Sequence, residues 1–232
     1  MIRYRVTHVL LALAFFGSGV CALVSLARQS SRSLPPLLPI PVEEQKAVAV
    51  HEAAHVVTDF AVNPDFQLIR VWVATAVVTK QSLWGNTEYF GGPEPSTSEG
   101  RQARAATMLA GAAAVSSLLD LKPKGYVNDL RDARAVCRPP CQGNPDGTCP
   151  LLVTIGAGPG QPARSPTERC LQGAIQQSVN LVMDNAEVIK GLADLIMSQP
   201  SQDDRRTLTA AQVKAFLHDK CIRGPTSAKT SD

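Results

Sequence analysis

A net excess of either charge is what this 232-residue chain most lacks outside one short stretch. Residues 1–36 hold Arg3, Arg5, Arg28 and Arg32 and no acid; the other 19 basic residues face 20 acidic ones. A body so balanced offers no electrostatic footprint for nucleic acid. No Gly-x-x-x-x-Gly-Lys-[Ser/Thr] loop occurs, so no ATP is expected to be bound by this chain. No internal repeat, collagen-like period or long heptad pattern is present, and 44% hydrophobic content excludes a wholly disordered chain. What is left is one ordinary domain with appendages.

The one long apolar run is Val9–Ala27, uncharged and flanked by Arg3/Arg5 and Arg28/Arg32. At about 1.5 Å per residue its helix would span about 28 Å, close to a bilayer's hydrocarbon thickness. Residues 1–28 therefore read as a membrane anchor, or as a cleaved signal segment ending in small residues. The basic excess points to a membrane contacted through residues 9–27. Residues 29–41 (QSSRSLPPLLPIP) read as a Ser/Pro-rich linker. Residues 42–222 form the domain, and 223–232 a flexible tail.

Five of the six cysteines lie in the body: Cys137, Cys141, Cys149, Cys170 and Cys221. Three cluster in CRPPCQGNPDGTC, within a Cys/Gly/Pro-rich loop over 137–164 that has little capacity to order itself by burial. Disulfides would order it and persist only outside the reducing cytosol. The Cys spacings match no common paired-cysteine zinc site. Disulfides, a structural metal and free thiols stay open, and an odd number leaves at least one thiol unpaired or paired between chains. The lean is towards an exported or membrane-anchored protein in a periplasm-like compartment.

The body reads as mainly helical with a small β element. Glu43–Val62 predicts a helix with acids in its first turn and Asn63-Pro64 as its stop. Phe66–Val78 is rich in β-branched and aromatic residues and predicts one or two strands; Gly85–Phe90 predicts another. Ser96-x-x-Glu99 is a capping pattern that opens a helix to about Leu119, whose alanines and glycine imply close approach to another helix. Asn128 is placed to cap a short helix to Val136. Ser165-Pro166-Thr167-Glu168 opens a long helical stretch to Ser198, with a kink expected near Asp184-Asn185. A last helix starts at Thr209.

Chemistry concentrates at His51-Glu52-Ala53-Ala54-His55. Histidines four apart project from one helical face, close enough to share a metal ion. Glu52 sits beside the first histidine, placed to serve a water polarised by zinc as general base and then as general acid. The pattern arises by chance in about one chain of this length in 200, so it does not decide the matter alone. Asp59, one turn beyond His55, reads as a solvated acid near a helix end or an acceptor behind the site. Glu88 reads as a surface acid. Asp129 reads either as first-turn helix stabilisation or as a further metal ligand.

Three motifs in order then carry a resemblance. AVAVHEAAHVV, Leu109-Ala110-Gly111-Ala112-Ala113-Ala114 and Asn128-Asp129-Leu130, with NAEVIKGLADLIMSQPS…LTAAQVKAFL towards the C-terminus, resemble the protease domain of FtsH-type zinc metallopeptidases over residues 43–219. The resemblance implies that family's helical protease fold. It implies zinc (Zn2+) held by His51, His55 and Asp129, with Glu52 as the catalytic residue. Ala54 stands where the family has glycine, and the family's ATPase domain has no counterpart. The expected activity is a zinc-dependent endopeptidase working on peptides or unfolded protein segments without a motor of its own. A non-catalytic zinc-binding interaction protein on the same scaffold is the alternative. Homo-oligomerisation stays open, because the ATPase helps to organise the hexamer in that family.

Overall fold

Our computed structural model describes residues 36–63, 66–79, 84–90, 95–123, 126–139 and 165–225. The apolar segment 9–27, most of the linker, the cysteines 21, 141 and 149 and the end of the tail lie outside the described residues. Helices account for 61% of what is described, beside a small sheet, so the fold class is mainly α. None of the described helices is long and apolar enough to cross a membrane.

The order of elements is β1 (Leu38–Pro39), α1 (Val42–Val62), β2 (Leu68–Ala74), β3 (Ala76–Val77), β4 (Gly85–Tyr89), α2 (Ser98–Leu119), α3 (Val127–Val136), α4 (Pro166–Asp184), α5 (Ala186–Ser198), β5 (Arg205–Thr209) and α6 (Ala210–Leu217). Helix α1 is central. Its Ala49, Ala53, Ala54, Val56 and Val57 are fully buried, because α2 and α5 pack against it and the sheet covers a further side. Small residues at Ala110 and Ala114 of α2 let that helix come close, as the alanine run predicts. Ile189, Leu192 and Ile196 of α5 and Leu208 of β5 complete this core.

The sheet is antiparallel in the order β4-β2-β5, with β4 at one edge. Val71 of β2 faces Thr87 of β4 on one side and Leu208 of β5 on the other, and Val73 faces Gly85 and Arg206. A second core lies between α2, α3 and α4, where Ala105, Ala106, Leu109, Ala133, Ala174 and Leu181 meet the disulfide Cys137–Cys170.

Several details differ from the sequence expectation. Thr97, and not Ser96, caps α2, its hydroxyl accepting from the Gly100 amide. Helix α3 starts at Val127 with no side-chain cap, so Asn128 lies inside it. Strand β5 was not expected at all: only Leu208 of RRTLT is buried, too little alternation to announce a strand. The Ser165–Glu168 box is formed, as is the Thr209–Gln212 box at the start of α6. The kink falls at Asn185, which separates α4 from α5. Its buried amide donates to the carbonyls of Leu181 and Arg223 and accepts from the Arg223 amide, tying the start of the C-terminal segment to the body.

Candidate metal centre

Helix α1 sets the first two groups. An i, i+4 pair on a regular helix points the same way, and here His51 and His55 bring their Nε2 atoms to 3.1 Å. Helix α3, packed on α2, places Asp129 opposite them. Its Oδ2 lies 3.1 Å from His51 Nε2 and 3.7 Å from His55 Nε2. These three side chains form the metal-ligand-type group found among the described residues, and the group could bind a metal ion.

The immediate surroundings suit a cation. His55 Nδ1 lies 2.9 Å from the Thr107 carbonyl, which can only accept, so Nδ1 carries the proton and leaves the Nε2 lone pair for the centre. Asp129 Oδ2 is buried and makes no aligned hydrogen bond despite its ion-pair approach to both rings. A buried carboxylate oxygen without a donor is costly unless a cation faces it.

Two glycines make room for these groups. A Cβ on Gly111 of α2 would sit 2.5 Å from Cε1 and Nε2 of His51, so the imidazole occupies the space a side chain there would need. A Cβ on Gly85 of β4 would sit 2.8 Å from Glu52 Oε1. Neither close approach is readable from composition. The small-residue run of α2 was the only hint of the first, and Gly85 lay in an expected strand with no signal of its own.

Glu52 is buried and accepts a 2.9 Å hydrogen bond from the Thr87 hydroxyl of β4. Burial pushes its carboxyl up, against the pull of His51, His55 and the Thr87 donor. For Asp129, burial would raise the carboxyl as well, but the two facing imidazoles outweigh it and hold it well below the usual carboxylate range. Burial alone would depress His55; the Asp129 carboxylate, helped by Glu52, reverses this and raises it to about 9. Without a metal ion, then, His55 favours its protonated form facing the Asp129 carboxylate.

Asp59 is not a solvated acid. It is buried and receives Arg104 Nη1 at 2.8 Å, while Arg104 Nη2 donates to the Tyr89 hydroxyl at 2.6 Å. The pair joins α1, α2 and β4 one turn from His55, and Thr107, whose carbonyl orients His55, follows Arg104 by three residues on α2. Glu88 is the outer-face acid expected of it, bonded to Arg70 and Trp72.

No protein-family model matches the chain, and none of the curated proteins matches it either. The site therefore carries the functional argument by itself.

Proposed function

We propose that this chain is a zinc-dependent endopeptidase on an FtsH-type protease scaffold, acting on peptides or unfolded protein segments. One observation carries the proposal. The three ligand-to-ligand separations are 3.1, 3.1 and 3.7 Å. A tetrahedral zinc site with bonds of about 2.0–2.1 Å has edges of about 3.3 Å, so the group fits a zinc ion with little adjustment. Two histidines and one carboxylate leave a fourth position open, the mark of a zinc site that does chemistry.

Bound zinc would supply Lewis acidity, polarising a water and a substrate carbonyl. The chain's own residues do the rest. Glu52, adjacent in sequence to His51, takes the water's proton as its oxygen attacks the carbonyl, and gives it to the departing amine. A carboxyl raised by burial is suited to both steps, since it neither holds nor releases the proton too firmly. Strand β4 pairs on one side with β2 and forms the sheet edge. An extended peptide added there would lie along the strand that carries Thr87, the partner of Glu52. A segment that must lie extended along this edge has to be free of its own fold, and this favours flexible substrates. Residues 9–27 would hold the enzyme at a membrane or direct its export, and the Cys137–Cys170 bond suits an oxidising compartment.

Metal analysis of the purified chain should find one zinc per molecule. Glu52→Gln should retain it and lose hydrolysis of unfolded casein by about 10²–10⁴-fold. Activity that survives Glu52→Gln would remove the mechanism. A wild type that binds zinc but cleaves no unfolded substrate would favour the non-catalytic interaction protein instead.

A further inference from the structure

The two halves of the ligand set are held by different means. His51 and His55 stand on a helix with ten buried residues, whereas α3, which carries Asp129, buries only Ala133. Leu130 adds a partly buried contact. What fixes the far end of α3 is its C-cap residue, Cys137, bonded to Cys170 in the second turn of α4. Cys170 and Ala174 share a core with Ala105, Ala106 and Leu109 of α2, the helix that also supplies Gly111 and Thr107 to the histidines. Eight residues of helix, about 12 Å, join Cys137 to Asp129. The carboxylate therefore rides on a short rod that packs on α2 and is held at its far end by a covalent bond.

We propose that the Cys137–Cys170 disulfide positions Asp129, so that the chain completes its metal group only once these cysteines are oxidised. This inference rests on the metal-binding part of the reading above and not on hydrolysis. In the reduced chain α1 presents two imidazoles, and α3 is free to shift its acid. Oxidation by a disulfide-bearing carrier removes two electrons and two protons from the Cys137 and Cys170 thiols. A thiolate attacks the carrier's disulfide, the second thiolate displaces the carrier, and the carrier leaves as a dithiol. The finished bond is shielded, Cys137 being 2% and Cys170 9% exposed. It acts as an assembly step taken during maturation, not as a readily reversed sensor. Metal retention would then be confined to an oxidising compartment by the fold itself.

Zinc affinity of the full chain, read by competition with a chromogenic chelator, tests this. The oxidised wild type is compared with phosphine-reduced wild type and with Cys137→Ala/Cys170→Ala, and circular dichroism follows helix content. Reduction and the double substitution should each weaken zinc about 10–100-fold with helix content retained, the range seen when a partner that orients a ligand is lost. In an Asp129→Asn background, oxidation should change the weaker affinity by less than about threefold, because the ligand on which the bond acts is gone. Equal affinity of oxidised and reduced wild type would overturn the inference. An undiminished drop in the Asp129→Asn background would do so too, as would loss of helix in both the reduced protein and the double variant, since the bond would then support the fold at large. No zinc on the oxidised wild type is a different result, one that removes the metal reading itself.

Discussion

Helices α1 and α3 contribute to one group of ligands and could hardly be built more differently. Helix α1 is enclosed by α2, α5 and the sheet, and its alanines and valines at 49, 53, 54, 56 and 57 have no exposed surface. Helix α3 is polar, with Val127 71% exposed at its start and one buried alanine. Burial of apolar area holds the first; a single buried alanine and a disulfide hold the second. The histidine half of the site is thereby set by the core, and the aspartate half, on our proposal, depends on the disulfide. On that proposal the site has one wall fixed by the core and one adjustable wall, whose position depends on whatever secures it.

The most damaging way to break the fixed wall is Gly111→Ala. In a helix interior this change ordinarily stabilises by about 1 kcal/mol. Here the new Cβ would meet the His51 ring at 2.5 Å, and the imidazole has to leave its position. We expect zinc affinity to fall by at least about 100-fold and stability to drop by about 1–3 kcal/mol, as for an overpacked core. Chelator competition and thermal unfolding read the two effects. An unchanged affinity would mean that His51 is not held where a ligand must be.

The fixed wall was largely legible in the sequence and the adjustable one was not, for a physical reason. Helical geometry alone makes His51 and His55 neighbours, so four letters of spacing suffice. Bringing Asp129 to them depends on the turn after α2 and the packing of α3, which periodicity cannot report; for Asp129 it was motif resemblance that pointed to the site. Asp59 shows the same limit. An acid near a helix end reads as solvated, and only the arrival of Arg104 from α2 makes its burial affordable. The pairing of β5 with β2 joins Arg205–Thr209 to residues some 130 positions earlier, a contact with no local signature. The caps missed by one residue at Thr97 and by two at Tyr126 are a gentler case, since several polar side chains stand near each helix start.

A pair of substitutions sharpens the contrast. Leu192→Ala, in the fully buried core of α5 against α1, should cost about 3 kcal/mol of stability. The zinc affinity of the protein that remains folded should hardly change. Leu130→Ala, next to Asp129 on α3, should cost only about 1 kcal/mol because the side chain is partly exposed, yet weaken zinc about tenfold. Denaturant unfolding and zinc titration of the same samples would show the crossed pattern. Parallel losses in both variants would mean that the two walls are equally rigid.

Within the fixed wall, Thr87 tests whether orientation of Glu52 matters separately from zinc. Thr87→Val keeps the shape of the side chain and removes the donor 2.9 Å from Glu52 Oε2. We expect kcat on unfolded casein to fall about tenfold with zinc content unchanged, and Thr87→Ser to restore most of it. A valine variant as active as wild type would show that the hydroxyl only fills space.

The mildest probe is proton concentration, and its sign differs between the metal-free and loaded forms. His55 is raised from 6.5 to about 9 when no metal is present. A group whose native pKa lies above its unfolded value stabilises fully below the unfolded value, and that contribution is lost as pH climbs through the native one. Glu52, lifted from 4.5 by burial, adds a loss of the same sign starting at lower pH. The depressed Asp129 contributes throughout this window, since its stabilisation disappears only in strong acid. The metal-free protein should therefore melt lower as pH rises from about 6.5 to about 9, by on the order of 3 °C. Zinc bound at this group would displace the proton from His55 Nε2, and proton competition for the site weakens as pH rises. The zinc-loaded melting temperature should hold or increase over the same interval. Scanning calorimetry of both forms at three pH values would expose the divergence, and parallel curves would show that proton and metal do not share one place.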